Sequence, residues 1–96
     1  MARSPLSEID ISTRLAGVPR WKQQGNEIVR TFELRDFREA LGFVNNVGEL
    51  AEKAGHHPDI DIRYNKVRLA LTTHDSGGLT KNDFDLAQQI EASTRS

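Results

Sequence analysis

Cysteine is absent from all 96 positions of the chain. That single absence removes disulfides, thiolate metal sites and cysteine nucleophiles together, and it fits a reducing compartment. No apolar stretch approaches the roughly 20 residues that cross a bilayer. The opening "MARSPLSEID" has an arginine but no apolar segment of the secretory type. A cytoplasmic protein without membrane contact is therefore expected. An excess of either charge is lacking, with 13 basic and 14 acidic residues leaving a formal net charge of −1. The two signs are well mixed and no basic stripe appears, so direct nucleic-acid binding is not expected. Repeats, linkers and low-complexity segments are missing too. The length predicts one domain over residues 1–96, with a core of about 6–92. A domain this small leaves self-association open as a way to cover a second apolar face.

What is present reads as an α+β order of α-β-β-α-β-β-α. Ser7 is a good helix N-cap, Asp10 supplies the acid three residues on, and Leu6 and Ile11 are spaced as a hydrophobic staple. Trp21–Gln24 and Glu27–Leu34 read as a hairpin turning at Gly25-Asn26. Asp36 can cap a long helix with Glu39 at N3, and Gly55 is a natural residue to close it. On that helix Phe37, Ala40, Leu41, Val44, Val47 and Ala51 share a stripe, widened by Phe43, Leu50 and Ala54. So broad a face fits either deep burial or a partner subunit. Ile60, Ile62 and Tyr64, then Val67, Leu69 and Leu71, alternate with polar or small residues as two strands, and Asn65-Lys66 reads as their turn. A last helix starts at Thr80, with Asp83 at N3 and Leu79 and Phe84 as its staple. These elements predict a four-stranded antiparallel sheet with helices packed on one face.

All three histidines, His56, His57 and His74, fall at the two ends of the second hairpin. With Asn65-Lys66 as the turn, Ile60 faces Leu71, and the same count sets His57 across from His74. Directly opposed residues have Cβ atoms about 4.5–5.5 Å apart. Glu52 lies in the last turn of the long helix, four residues before His56. A carboxylate there opposes the helix dipole, which a nearby imidazolium would offset. Imidazole titrates near neutral pH, so such a cluster suits acid–base chemistry of the dehydration type. Zinc is the rival reading, but adjacent histidines rarely aim both rings at one ion, and no HxH or HxxxH spacing occurs. Ser76 has no supporting triad motif, and Gly77-Gly78 lacks phosphate-loop spacing. Asp83 needs no role beyond capping, and Trp21 is equally a core anchor or a ring-stacking wall.

At these residues the chain resembles the pterin-4a-carbinolamine dehydratases. The likeness lies in Glu52, His56, His57 and Pro58 ("E-x-x-x-H-H-P"), Tyr64 in "YNKV", His74 in "LTTH" and Asp83 after "GGLT". "RDF" before the long helix and Trp21 also fit, and the likeness runs from about Leu6 to Ile90. It implies a metal-free hydro-lyase with no cofactor. Such an enzyme converts 4a-hydroxytetrahydropterin to quinonoid dihydropterin and water in tetrahydrobiopterin recycling. It further implies His56 and His74 as acid–base residues, His57 as mainly a pterin holder, and Glu52 as their orienting or charge-balancing carboxylate. Trp21, Pro58, Thr72, Thr73 and Asp83 would then line the substrate. A homodimer or homotetramer is implied, with an aromatic amino acid hydroxylase as a candidate partner. The alternative it carries is a non-catalytic dimerisation cofactor of a transcription factor, or a role in another pterin or molybdopterin pathway. Gly55 departs from the pattern, since many members have an acid there.

Overall fold

The structure, a computed structural model, describes residues 5–94. The expected single unit of 1–96 therefore has its ends, residues 1–4 and 95–96, outside the described residues. Eight elements occur in the order α1 (Glu8–Leu15), β1 (Lys22–Gln24), β2 (Glu27–Glu33), α2 (Phe37–Ala54), β3 (Asp59–Arg63), β4 (Lys66–Leu71), a 3-10 turn (His74–Ser76) and α3 (Lys81–Thr94). The strands form one antiparallel sheet in the order β1-β2-β4-β3, with three helices on one face.

The local chemistry behind each element is visible. Ser7 Oγ accepts the Asp10 amide, and Asp36 Oδ1 accepts the Glu39 amide, so α1 and α2 start on oxygen caps. The first hairpin turns at Gly25, whose φ of 60° suits a residue without Cβ. Alternation along β2 and β4 sends Ile28, Phe32, Val67, Leu69 and Leu71 inward, where they meet Ala40, Val47 and Ala51 of α2 and Phe84, Ala87 and Ile90 of α3. Arg30 interrupts that face. Its guanidinium pairs with Glu91 at the end of α3 and lies 3.9 Å from the Phe32 ring centroid, so the charge is matched rather than stranded.

One expectation needs correction. The second hairpin turns at Tyr64-Asn65, not at Asn65-Lys66, with Arg63 opposite Lys66 and Ile60 opposite Leu69. The reason is tertiary. Asn65 accepts the Leu34 amide on its backbone oxygen and donates its side-chain N–H to the Leu34 carbonyl. That double tie holds Asn65 beside the end of β2, and Tyr64 takes the left-handed conformation, φ 54°. Of the two readings left open for the broad stripe of α2, full burial within the fold does not hold, since the stripe is only partly covered. Ala40, Val47 and Ala51 are buried, whereas Phe37 and Leu41 stay 47% and 42% exposed. Edge strand β3 is exposed along its whole length, with Ile60 at 38% and Ile62 at 36%. No helix among the described residues is long and apolar enough to cross a membrane.

Candidate acid–base site

Helix α2 ends because Gly55 adopts φ 64°, its N–H turning back to the carbonyls of Ala51 and Glu52. The His56 amide follows onto Ala51 O at 3.1 Å. Beyond this sharp exit the two adjacent imidazoles take different partners. His56 Nε2 lies 2.5 Å from Asp83 Oδ1, on the first turn of α3. His57 Nε2 meets Glu52 Oε2, back on α2, and both groups are exposed.

Asp83 is the centre of the arrangement and is 0% exposed. Its Oδ2 accepts the Thr73 hydroxyl at 2.8 Å and the Thr80 amide at 2.9 Å. A carboxylate can only accept, so His56 donates from Nε2 and keeps Nδ1 as the ring nitrogen available to exchange a proton. A buried carboxylate fixing one imidazole tautomer is the arrangement by which acid–base histidines are oriented.

His74 opens the 3-10 turn and is exposed. It lines a cleft of ≈290 Å³ with Asn26, Glu27, Thr72, Gly77 and Gly78. Neither His56 nor His57 lines that cleft. The link between the two regions is Thr73, the residue before His74, whose hydroxyl bonds to the same Asp83 that holds His56. Thr72 donates its hydroxyl to the Asn26 carbonyl, which pins the first hairpin turn beside His74. Pro58, half-buried, leads into β3.

Three sequence expectations are altered by this geometry. His57 does not stand across from His74, because the β3–β4 ladder ends at Asp59 and Ala70, with a register shifted by the turn at Tyr64. Glu52 serves His57, not His56. Trp21 is a core anchor. It is buried edge-on to Phe32 and donates its indole N–H to Glu91, two turns along α3 from Asp83, about 12 Å along the helix axis. Reading the sequence missed the Asp83–His56 bond and the part of Thr80 beyond capping. Thr73, expected to face substrate, has its hydroxyl engaged by Asp83 and Thr80. Among the described residues no three His, Asp or Glu side chains gather as a metal-binding set.

Comparison with known proteins agrees with the likeness of the motif. The family model described as pterin 4 alpha carbinolamine dehydratase matches residues 4–93. A Chloroflexus aurantiacus protein is 63% identical over 86 residues, 90% of this chain and 92% of its own. One from Acidobacterium capsulatum is 65% identical over 82 residues, 85% of this chain and 89% of its own. Both are provisionally named pterin-4-alpha-carbinolamine dehydratase. A Brucella melitensis crystal structure, described as a transcriptional coactivator/pterin dehydratase, superposes with a TM-score of 0.88 at 32% identity, covering 93% of this chain and 97% of that one. A pterin dehydratase-like RuBisCO assembly factor of the alpha-carboxysome shares the fold, with a TM-score of 0.67 at 22% identity over 79% of this chain and 90% of that one. On a match that spans nearly the whole chain, the protein belongs to the pterin 4 alpha carbinolamine dehydratase family.

Proposed function

We propose that the chain dehydrates a 4a-hydroxytetrahydropterin to quinonoid dihydropterin. The observation that carries this reading is the His56–Asp83 pair, a half-buried imidazole held by a fully buried carboxylate with one ring nitrogen left available. In the reaction the C4a–O bond breaks as the lone pair of the neighbouring ring nitrogen forms a C=N bond. The departing hydroxyl takes a proton and leaves as water, and the ring nitrogen gives up its proton to a base. Of the acid–base pair this requires, His56 supplies one member through Nδ1 and His74 the other. His57, steadied by Glu52, holds the pterin from the exposed side. A positioned acid or base is worth about 10²–10⁴ in rate. Tetrahydrobiopterin recycling in the cytoplasm, without metal or cofactor, is the setting this chemistry fits, and an aromatic amino acid hydroxylase would supply the carbinolamine.

The test is a direct dehydration assay on carbinolamine generated in situ, with and without chelator. Parent protein should accelerate water loss equally in both, and His56→Ala should lose about 10²-fold or more. Parent-like turnover by both His56→Ala and His74→Ala would overturn the reading.

Self-association is part of the same proposal. The free edge of β3 carries Asp61, Ile62 and Arg63 in sequence. A two-fold antiparallel pairing centred on Ile62 sets Asp61 against Arg63 of a second copy, giving matched charge around an apolar centre. This also supports the second reading, a non-catalytic role in binding another protein, for which exposed Phe37 and Leu41 of α2 offer a surface.

A further inference from the structure

The hydroxyl protons around Asp83 have only one consistent arrangement. Thr73 has a single hydroxyl proton and gives it to Asp83 Oδ2. The 2.8 Å contact between the Thr73 and Thr80 hydroxyls must therefore run from Thr80 as donor to Thr73 as acceptor. Thr80 Oγ1 accepts in turn from the Asn82 amide at 3.3 Å, which is the capping bond of α3. Thr80 is 1% exposed, so water does not compete for its own hydroxyl.

We propose that Thr80 is a positioning residue for His56, acting through Thr73 and Asp83. This rests on the reading of His56 as an acid–base residue. The Thr80 hydroxyl proton occupies a Thr73 lone pair and turns the Thr73 proton onto Asp83 Oδ2. With the Thr80 amide on the same oxygen, Oδ2 is filled by two donors. Oδ1 is left to the His56 Nε2–H alone, and the ring is locked with Nδ1 bare. A helix cap needs only the acceptor oxygen of Thr80. The donated proton, buried and aimed away from the helix end, is surplus to capping and is the part that reaches His56. Without it the Thr73 hydroxyl can rotate, Oδ2 loses a donor, and Asp83, held less firmly, lets the His56 ring that donates to it shift with it.

The experiment compares the parent with Thr80→Val, which keeps the shape and removes the hydroxyl, and Thr80→Ser, which keeps the hydroxyl. Ring nitrogens of His56 are read by ¹⁵N NMR in the full chain above the imidazole titration. The parent and Thr80→Ser should show one sharp Nε2–H resonance, and Thr80→Val a shifted or broadened one. In the dehydration assay Thr80→Val should lower kcat about tenfold with KM within about twofold, and Thr80→Ser should restore it. That loss is well short of the roughly 10⁴-fold seen when an orienting carboxylate itself is replaced by an amide in a Ser-His-Asp triad. A Thr80→Val protein whose His56 Nε2–H resonance matches the parent's in shift and width overturns the proposal. So does a parent whose His56 carries its proton on Nδ1, a result that needs no variant to fold. The tautomer is read without turnover, so a parent that fails to dehydrate pterin sinks the functional reading and leaves this one to its own answer.

Discussion

Asp83 closes the capping box of α3 with one oxygen and holds the ring of His56 with the other. An amide has one acceptor and one donor end, so Asp83→Asn cannot serve both sides. If its oxygen stays with Thr73 and Thr80, its NH₂ group faces the His56 N–H. We expect kcat to fall by about 10²–10⁴, as when a histidine loses its orienting carboxylate. Stability should fall by only about 1–3 kcal/mol, the usual cost of a mismatched buried polar group. Single-turnover kinetics and urea unfolding separate the two effects. His57→Ala should behave differently, because an exposed imidazole–carboxylate pair is worth at most about 1 kcal/mol. Its urea midpoint should stay near the parent's, so that lost turnover reports the ring's contact with ligand. Asp83 was legible as a capping acid because N3 spacing is local. Its bond to His56, 27 residues away, depends on how the end of α2 docks on the start of α3, and no local pattern encodes that.

Helix ends and hairpin turns set where these side chains point. At Gly55 a Cβ would meet no atom within 4 Å, so the cost of a side chain there is purely conformational. Gly55→Ala is expected to lose about 1 kcal/mol through the left-handed φ, measurable by thermal unfolding. Gly55→Asn should lose less, since asparagine tolerates that region better. Gly55 was readable as a helix stop from its place after a long apolar stripe. The β3–β4 turn was misplaced by one residue because turn preferences favour asparagine at positive φ. The native chain instead uses Asn65 to grip Leu34 and leaves the strain on Tyr64. The error cancels for sidedness, since Ile60 and Ile62 still share a face with Val67 and Leu69. It does not cancel for the histidines, which depended on counting along that ladder. Trp21 could not be assigned from spacing at all, because its partner Glu91 lies 70 residues on.

The assembled fold covers one face of its sheet and leaves β3 and part of α2 bare. An uncovered strand bearing two isoleucines invites pairing, and a charge on the inward-facing side of such an edge blocks it. Ile62→Lys should therefore give a folded monomer by sedimentation, with the parent's circular dichroism, and the parent is expected to sediment as a dimer or larger. A parent that sediments as a monomer at tens of micromolar would remove the edge-pairing proposal. Element order and the inner face were legible because period 2 and period 3.6 are written locally. The bare surfaces were not, because an apolar residue looks the same whether its own fold or another copy covers it.

His57 is moored to α2 through Glu52, and its neighbour His56 is moored to α3 through Asp83. Two consecutive side chains thus answer to two different helices. If packing between those helices loosens by even a fraction of a turn, one ring moves and the other stays. Turnover in such a protein would fade while the fold still stands, making the chemistry a more sensitive gauge of helix docking than any melting curve.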